Sequence, residues 1–444
     1  MFESRGGIKL TVKYVDETGP VIPPIRPYSQ AAEPTLERVG DLGLWMDSDD
    51  SDTPYLAFKR GAGDQVKVEI GAAPLCYTDQ STLNATSIKM AIASGGTPAV
   101  DIDWGDSTTT PAICDGAWHT YIHNYGATGQ YGINLFGSLE NVKYLSIINQ
   151  AWIYGDLGDM VDKLDPAFSY MMIYNTGMTG DISALSKFPD MTRFHASGTM
   201  ISGNVSVFSG LTKLVNLNTP MHAGIVGDIG SFAGCTVLKQ FLAENAAMSG
   251  NLSSLSGLTT LTHLYLKNSS VEGDIANLSG NTNMVRLRMQ SPQGGSVYGD
   301  IASLAGMSVL NQLYLQYTDV SGDIASLSGL TNMAYLYLFE TQVTGDIGAL
   351  KTMTNLLRYY MFDNVGQNLV YNATTLPAWS LNFIYLQNLG LSSAEVNNFL
   401  IDLAAAGGTN GELRLDGANA YRTSASDAAI VTLLANDWTL YVNG

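Results

Sequence analysis

The chain has 444 residues, of which 46 are glycine, 45% are hydrophobic and only 14% are charged. That length exceeds one ordinary core, so roughly two to four domains are expected, and the composition suits a repetitive, turn-rich, mostly β protein more than an enzyme surface rich in salt bridges. Forty acidic against 22 basic residues leave a net charge of −18, which repels phosphate backbones and anionic headgroups and sets aside nucleic acid and membrane surfaces as partners.

The N-terminus, MFESRGGIKLTVKYV, has no apolar run long enough for a signal peptide, and nothing downstream approaches the ~20 apolar residues of a spanning helix. The expectation is a protein made and folded in the cytoplasm that leaves, if it works outside the cell, by another route such as virion release upon lysis. A strand over Leu10 to Val15 leads into IPPIRP, which can be neither helix nor central strand because proline fixes φ and lacks an amide donor. The following VGDLGLWMDSDDSDTPYLAFKRGAGDQVKVEIG reads as a small strand meander with polar turns at Asp47 to Asp52 and Gly61 to Gly63. Its acid run lacks the glycine of an EF-hand loop and has Phe58 where the bidentate glutamate would stand, so a solvated turn is the reading. The phrase resembles the short N-terminal modules of phage fibre proteins, which implies a particle-docking module over residues 1 to 72.

Further along, ASGGTPAVDIDWGDSTTT and HTYIHNYGATGQYGINLFG resemble the paired signatures of a PKD-like β-sandwich, in which a W-G-D turn and an H-x-Y-x-x-x-G-x-Y strand start face one another. The matching residues are Trp104, Gly105 and Asp106, then His123, Tyr125, Gly129 and Tyr131; Ser107 stands where that family more often has glycine. Asp103, Asp106 and His123 are open to a metal or catalytic reading, with turn hydrogen bonding in an immunoglobulin-like sandwich as the commoner alternative. The resemblance implies a sandwich over residues 73 to 140.

A phrase Gly-Asp/Asn-Ile/Leu/Val then recurs nine times, with its glycines at Gly155, Gly180, Gly203, Gly227, Gly250, Gly273, Gly299, Gly322 and Gly345, at intervals of 23 to 26 residues. Each unit carries an L-x-x-L-x-x-L-x-L run, clearest at Leu258, Leu261, Leu264 and Leu266, and the alternation Leu264, Tyr265, Leu266 predicts a short strand with leucines inward. This is similar to the leucine-rich-repeat pattern, in the subclass best known from plant receptor ectodomains, and implies a solenoid over residues 141 to 390. The Asp ladder (Asp156, Asp181, Asp228, Asp274, Asp300, Asp323, Asp346) invites a column of calcium sites, but Asn204 and Asn251 occupy two rungs. A side chain capping backbone amides in a tight turn works equally well as Asp or Asn, so capping is preferred.

Residues 391 to 444 read as a cap that hides the open end of the solenoid. Ser392 and Glu395 have capping-box spacing, and Val396, Phe399, Leu400 and Leu403 follow at helical intervals up to Gly407-Gly408. A strand in GELRLDG, a helix around Ala428 to Ala435 and a last strand in WTLYVNG complete it, and the ending resembles the closing unit of bacterial and phage leucine-rich-repeat surface proteins.

Chemistry is sparse. The five histidines (His119, His123, His195, His222, His263) form no H-E-x-x-H and pair with no nucleophile elbow, there is no P-loop or dinucleotide fingerprint, and Cys76, Cys114 and Cys235 are widely spaced, as reduced, partly buried thiols would be. No enzyme activity, cofactor or metal is expected. The outward strand positions are more informative: Met172, His195, Asn218, Leu242, Tyr265, Arg288, Tyr314, Tyr337, Tyr360 and Tyr385, flanked by Tyr335, Phe339, Phe362 and Phe383. Alternation places them opposite the leucines, on the sheet that such proteins present as a concave face. Two readings stay open: β-propensity with cross-strand stacking, and ligand recognition by Tyr265, Arg288, Tyr314, Tyr337, Tyr360 and Tyr385, with Arg288 and Arg358 orienting acidic sugars.

The expected fold is mainly β and multi-domain: a small β N-terminal module, a PKD-like β-sandwich, a leucine-rich-repeat solenoid and an α/β cap. Together these resemble bacteriophage virion fibre proteins, of head or tail, including those of the crAss-like phage group. The resemblance implies a non-enzymatic structural protein of the virion, a homo-oligomer, as a trimer, through its N-terminal segment, bound to a capsid or tail protein and displaying the repeats to a host-surface glycan or protein. The alternative is a bacterial cell-surface leucine-rich-repeat adhesin, which the absence of a signal peptide disfavours.

Overall fold

The computed structural model describes four strands in the first 73 residues and, from Pro74 to Gly444, all residues except 81–83, 94–99, 221–223, 291–296, 365–367 and 380–381. By contacts the chain divides into two units, Met1–Ala73 and Pro74–Gly444.

In the first unit the strands Arg26–Tyr28, Leu42–Met46, Pro54–Gly61 and Asp64–Glu69 form one sheet in chain order. The last three are an antiparallel meander, and Arg26–Tyr28 adds parallel at the edge. An edge is where Pro27 is tolerated, because a strand there need not donate on both sides. The strand expected over Leu10 to Val15 and the acid turn at Asp47 to Asp52 lie outside the described residues.

The second unit is mainly β, with two long sheets. From Tyr170 to Thr352 each repeat supplies a short strand to one sheet, turns, supplies a second strand ending in Gly-Asp/Asn to the other, and closes with a 3-10 helix. All pairings between successive repeats are parallel, as in Tyr265↔Arg288 and Gly299↔Val320. Leu258, Leu261, Leu264 and Leu266 are buried, and their counterparts in the other coils join them in one continuous core. A single coil cannot enclose its leucines, so each stabilises by about 1.5 to 3 kcal/mol only once a neighbouring coil covers it. This is a leucine-rich-repeat solenoid.

The recurring glycine is required twice over. At Gly299, Gly322 and Gly345 φ is +107°, +105° and +98°, and a Cβ at each would lie 2.1 Å from Oδ1 of Asp274, Asp300 and Asp323 in the preceding coil. The Asp or Asn that follows each glycine is the N-cap of the next helical turn. At all nine positions its side-chain oxygen accepts the amide two residues on, at 2.6 to 2.9 Å. Asn204 and Asn251 cap just as the aspartates do, which is the behaviour expected of an acceptor in a turn.

Before the first repeat, the strands Cys76–Asp79, Ala85–Ile92, Asp101–Asp103, Thr109–Pro111, Trp118–Asn124 and Gln130–Phe136 divide between the same two sheets. Cys76–Asp79 pairs antiparallel with Gln150–Asp156, and Ala85–Ile92 pairs antiparallel with Val142–Ser146, so both sheets run unbroken into the repeats. The W-G-D turn and the strand expected to face it do meet. Trp104 is buried and stacks on His123 at 5.0 Å, His123 Nε2 lies 2.7 Å from Asp106 Oδ2, and Tyr125 donates to the Trp104 carbonyl at 2.9 Å. Gly105 has φ +81° and would place a Cβ 2.5 Å from the Gly132 carbonyl oxygen, and Ser107 adopts φ +72°, a conformation that favours glycine.

At the other end the helix Ser393–Ala406 starts at a capping box of Ser392 and Glu395 and stops at left-handed Gly407. The strands Glu412–Leu415 and Thr439–Val442 add parallel to the first sheet, so the cap prolongs that sheet by two strands. Cys76, Cys114 and Cys235 are free, and burial pushes the Cys76 thiol up to about 12 and that of Cys235 up to about 11.

Candidate recognition surface

The long sheet that begins with Trp118–Asn124 and ends with Thr439–Val442 turns the middle residue of each repeat strand into the core and its flanking residues outward, giving buried Leu264, Leu287, Leu313, Leu336, Tyr359 and Ile384. The register is exact from strand to strand. Tyr265, Arg288, Tyr314, Tyr337, Tyr360, Tyr385, Arg414 and Tyr441 therefore stand in one row, each opposite the next. All six positions expected from the sequence are in it. Arg414 and Tyr441 were not expected, although the x of L-R-L and L-Y-V carries the same signal; reading the cap as a separate closing unit hid it.

The row is a stack. Tyr314 and Tyr337 lie 4.2 Å apart and 3° from parallel, Tyr337 and Tyr360 4.5 Å and 17°, Tyr360 and Tyr385 4.4 Å and 8°. The Arg288 guanidinium is sandwiched between Tyr265 and Tyr314 at 4.4 and 4.6 Å, and that of Arg414 between Tyr385 and Tyr441 at 5.0 and 4.5 Å. Strand spacing of about 4.8 Å matches ring thickness closely enough that neighbours close on one another. The face that each interior ring could have offered to a sugar is thus taken by the next ring, and what the interior tyrosines leave open is their edges and hydroxyls. Burial pushes the Tyr314 phenol up to about 12 and raises that of Tyr360 further. Beside the stack, Phe339 and Phe362 lie 4.2 Å apart in a second one.

The charged groups on this sheet are unlike those of the whole chain. Of the six arginines in residues 74–444, Arg193, Arg286, Arg288, Arg358 and Arg414 all stand at outward strand positions, and Arg422 alone does not. Among the outward residues of the strands from Tyr170–Met172 to Thr439–Val442, the one carboxylate is Glu412, which is 2.8 Å from Arg414. Glu244, just beyond its strand, reaches Arg288 at 3.4 Å. Arg193 instead donates to the Tyr170 hydroxyl and Asn216, Arg286 to the Tyr265 hydroxyl and Arg358 to the Tyr337 hydroxyl. Burial and the charge of Arg193 hold His195 down to about 4, and burial with the charges of Arg286 and Arg288 lowers His263.

The second cluster raised by the sequence is occupied by turn bonding. Asp103 accepts the Gly105 amide at 2.9 Å and Asp106 accepts both the amide and hydroxyl of Thr108. Burial pushes the Asp106 carboxyl up, but the bonds from Thr108 and His123 outweigh it and leave it below the usual carboxylate range. Among the described residues no three His, Cys, Asp or Glu side chains converge as metal ligands.

No family model matches the sequence, and no curated protein does. Among solved structures, the chain is similar to an internalin, inlF, from Listeria monocytogenes, with 18% identity over 70% of this chain and 91% of that one and a TM-score of 0.49. It is also similar to the plant peptide hormone receptor RGFR1 in complex with RGF2, with 19% identity over 67% of this chain and a TM-score of 0.48. A third is the Arabidopsis receptor kinase HAESA in complex with the peptide hormone IDA and the co-receptor SERK1, with 21% identity over 63% of this chain and a TM-score of 0.46. The match spans 49% of the first plant receptor and 51% of the second. The leucine-rich-repeat architecture stands on this chain's own strands and repeat spacing.

Proposed function

We propose that this chain is a non-enzymatic adhesion and display protein of a phage virion, a head fibre in preference to a tail fibre, and that the outward face of its long sheet contacts a host-surface glycan or protein. The observation that carries the reading is the eight-member row from Tyr265 to Tyr441, an ordered, half-buried aromatic and cationic strip on a sheet face that the core does not need. In this reading residues 73 to 140 are a PKD-like sandwich that also seals the first coil, and residues 1 to 72 dock the fibre to a capsid or tail protein and join it into a trimer.

Triple substitution of Tyr314, Tyr337 and Tyr360 to Ser, checked for intact folding by circular dichroism, is expected to abolish adsorption to host cells; full adsorption by the folded variant removes the recognition claim. Mass spectrometry of purified particles separates the virion from the bacterial cell surface as the place of work. A chain lacking residues 1 to 72 is expected to be monomeric and absent from particles, and assembly of that chain would refute the docking assignment.

A further inference from the structure

We propose that the ligand of this face is a linear acidic polysaccharide, lying along the row of strands with its carboxylates at Arg286, Arg288 and Arg358. The inference rests on the recognition reading above and names its ligand class. Three observations lead to it. First, the face is cationic in a protein of net charge −18: five arginines against one carboxylate occupy its outward strand positions. A field of that sign, set in a chain that repels anions elsewhere, directs a polyanion to one strip.

Second, Arg193, Arg286 and Arg358 have only neutral oxygen partners among the hydrogen bonds described above, and the Arg288 guanidinium, covered on both faces by rings, meets its carboxylate only at 3.4 Å. Guanidinium edges in this state are fork-shaped donors short of an anionic acceptor, and carboxylate is what they fit. Third, the stacked rings refuse a neutral sugar face but offer hydroxyl edges at four successive strands, from Tyr314 to Tyr385. That step of about 4.8 Å is close to the advance of one pyranose unit in an extended chain, whereas an extended peptide advances about 3.3 Å per residue and falls out of phase with the row. Arg286 and Arg358 are three strand steps apart, about 14 Å, so a chain of several acidic sugars reaches both.

The test titrates the full-length protein with oligogalacturonate of about ten units, with its neutral methyl ester and with a poly-Glu peptide of equal charge, at low and high salt. Oligogalacturonate is expected to bind, to weaken as salt rises, and to bind at least about tenfold more tightly than either comparator. Arg286→Gln with Arg358→Gln is expected to weaken it by about tenfold or more, and Arg358→Gln alone, at an exposed site that leaves packing intact, by a smaller but measurable factor. Lys187→Gln with Lys213→Gln, which removes as much charge away from this face, is expected to change nothing. Equal binding of the ester, tighter binding of poly-Glu, indifference to the arginine substitutions, or no binding of any probe would each overturn the proposal. If no probe binds while the tyrosine variant still loses host adsorption, the recognition surface stands and its acidic-glycan assignment falls; if adsorption is also unaffected, both fall.

Discussion

On the Arg193–His195 strand the imidazole of His195 stacks on Tyr174 at 4.1 Å, with Nε2 2.7 Å from the Ser197 hydroxyl, and burial together with the Arg193 charge holds its pKa down to about 4 against an ordinary 6.5. Between those values the unfolded chain takes up a proton that the folded chain does not. Folding therefore weakens as pH falls from about 6.5 towards 4, and the neutral imidazole's contribution is fully present above that window. The melting temperature of the native protein is expected to drop between pH 7 and pH 4.5 by more than that of His195→Gln, and an NMR titration should place the imidazole near 4. A titration midpoint near 6.5 would mean that the ring is solvated. Nothing in the sequence signals this, because a histidine at an outward strand position reads as solvent-facing until its stacking partner is known, here Tyr174 of the preceding coil, two residues past the Met172 that pairs with His195.

The repeating element was legible because burial dictates spacing. Leu258, Leu261, Leu264 and Leu266 had to fall where they do for the coil to have an inside, and the Gly-Asp/Asn phrase had to recur because from Gly180 onward each glycine rests against the Asp or Asn of the coil before it. What periodicity does not encode is how side chains on the open face settle against each other; the closed stack of Tyr314, Tyr337, Tyr360 and Tyr385 depends on rotamers shared across strands. Also unread was a column of left-handed residues, Asn175, Asn245, Asn268 and Asn388, which turn each coil from its first strand to its second. Short polar side chains tolerate that conformation, and in the same column Tyr317 and Glu340 occupy it without that advantage. The capping role of the Asp ladder has its own test. Asp323→Ala is expected to cost about 1 kcal/mol in denaturant unfolding and Asp323→Asn only a few tenths. Millimolar calcium or a chelator should leave the melting temperature unchanged; a rise with calcium that Asp323→Asn abolishes would make the column a metal site.

Among the described residues of 74–444 the two sheets have no break at which one part could unfold without exposing strand edges of the next. Solenoids divide into separately melting segments when an interface between neighbours is weaker than the intrinsic instability of the parts. The junction to examine is that between the six-stranded β segment and the first coil. There the Gln150 side chain acts as an extra pair of strand hydrogen bonds, accepting the Ser87 amide at 2.7 Å and donating to the Ser87 carbonyl at 2.6 Å, while Cys76–Asp79 and Ala85–Ile92 each pair with a strand of the solenoid. Both ends of the unit are thus expected to lose hydrogen-exchange protection together, at one denaturant concentration, when peptides from 76–136 and from 393–442 are followed in the intact chain. Gln150→Leu leaves a backbone amide and carbonyl of Ser87 without partners, at about 1 to 3 kcal/mol each where they are sheltered from water. In that variant the 76–136 peptides should open at lower denaturant than the cap. Separate transitions already present in the native protein would mean that the shared sheets do not couple the segments, and the β segment would then be an appendage of the solenoid instead of its seal.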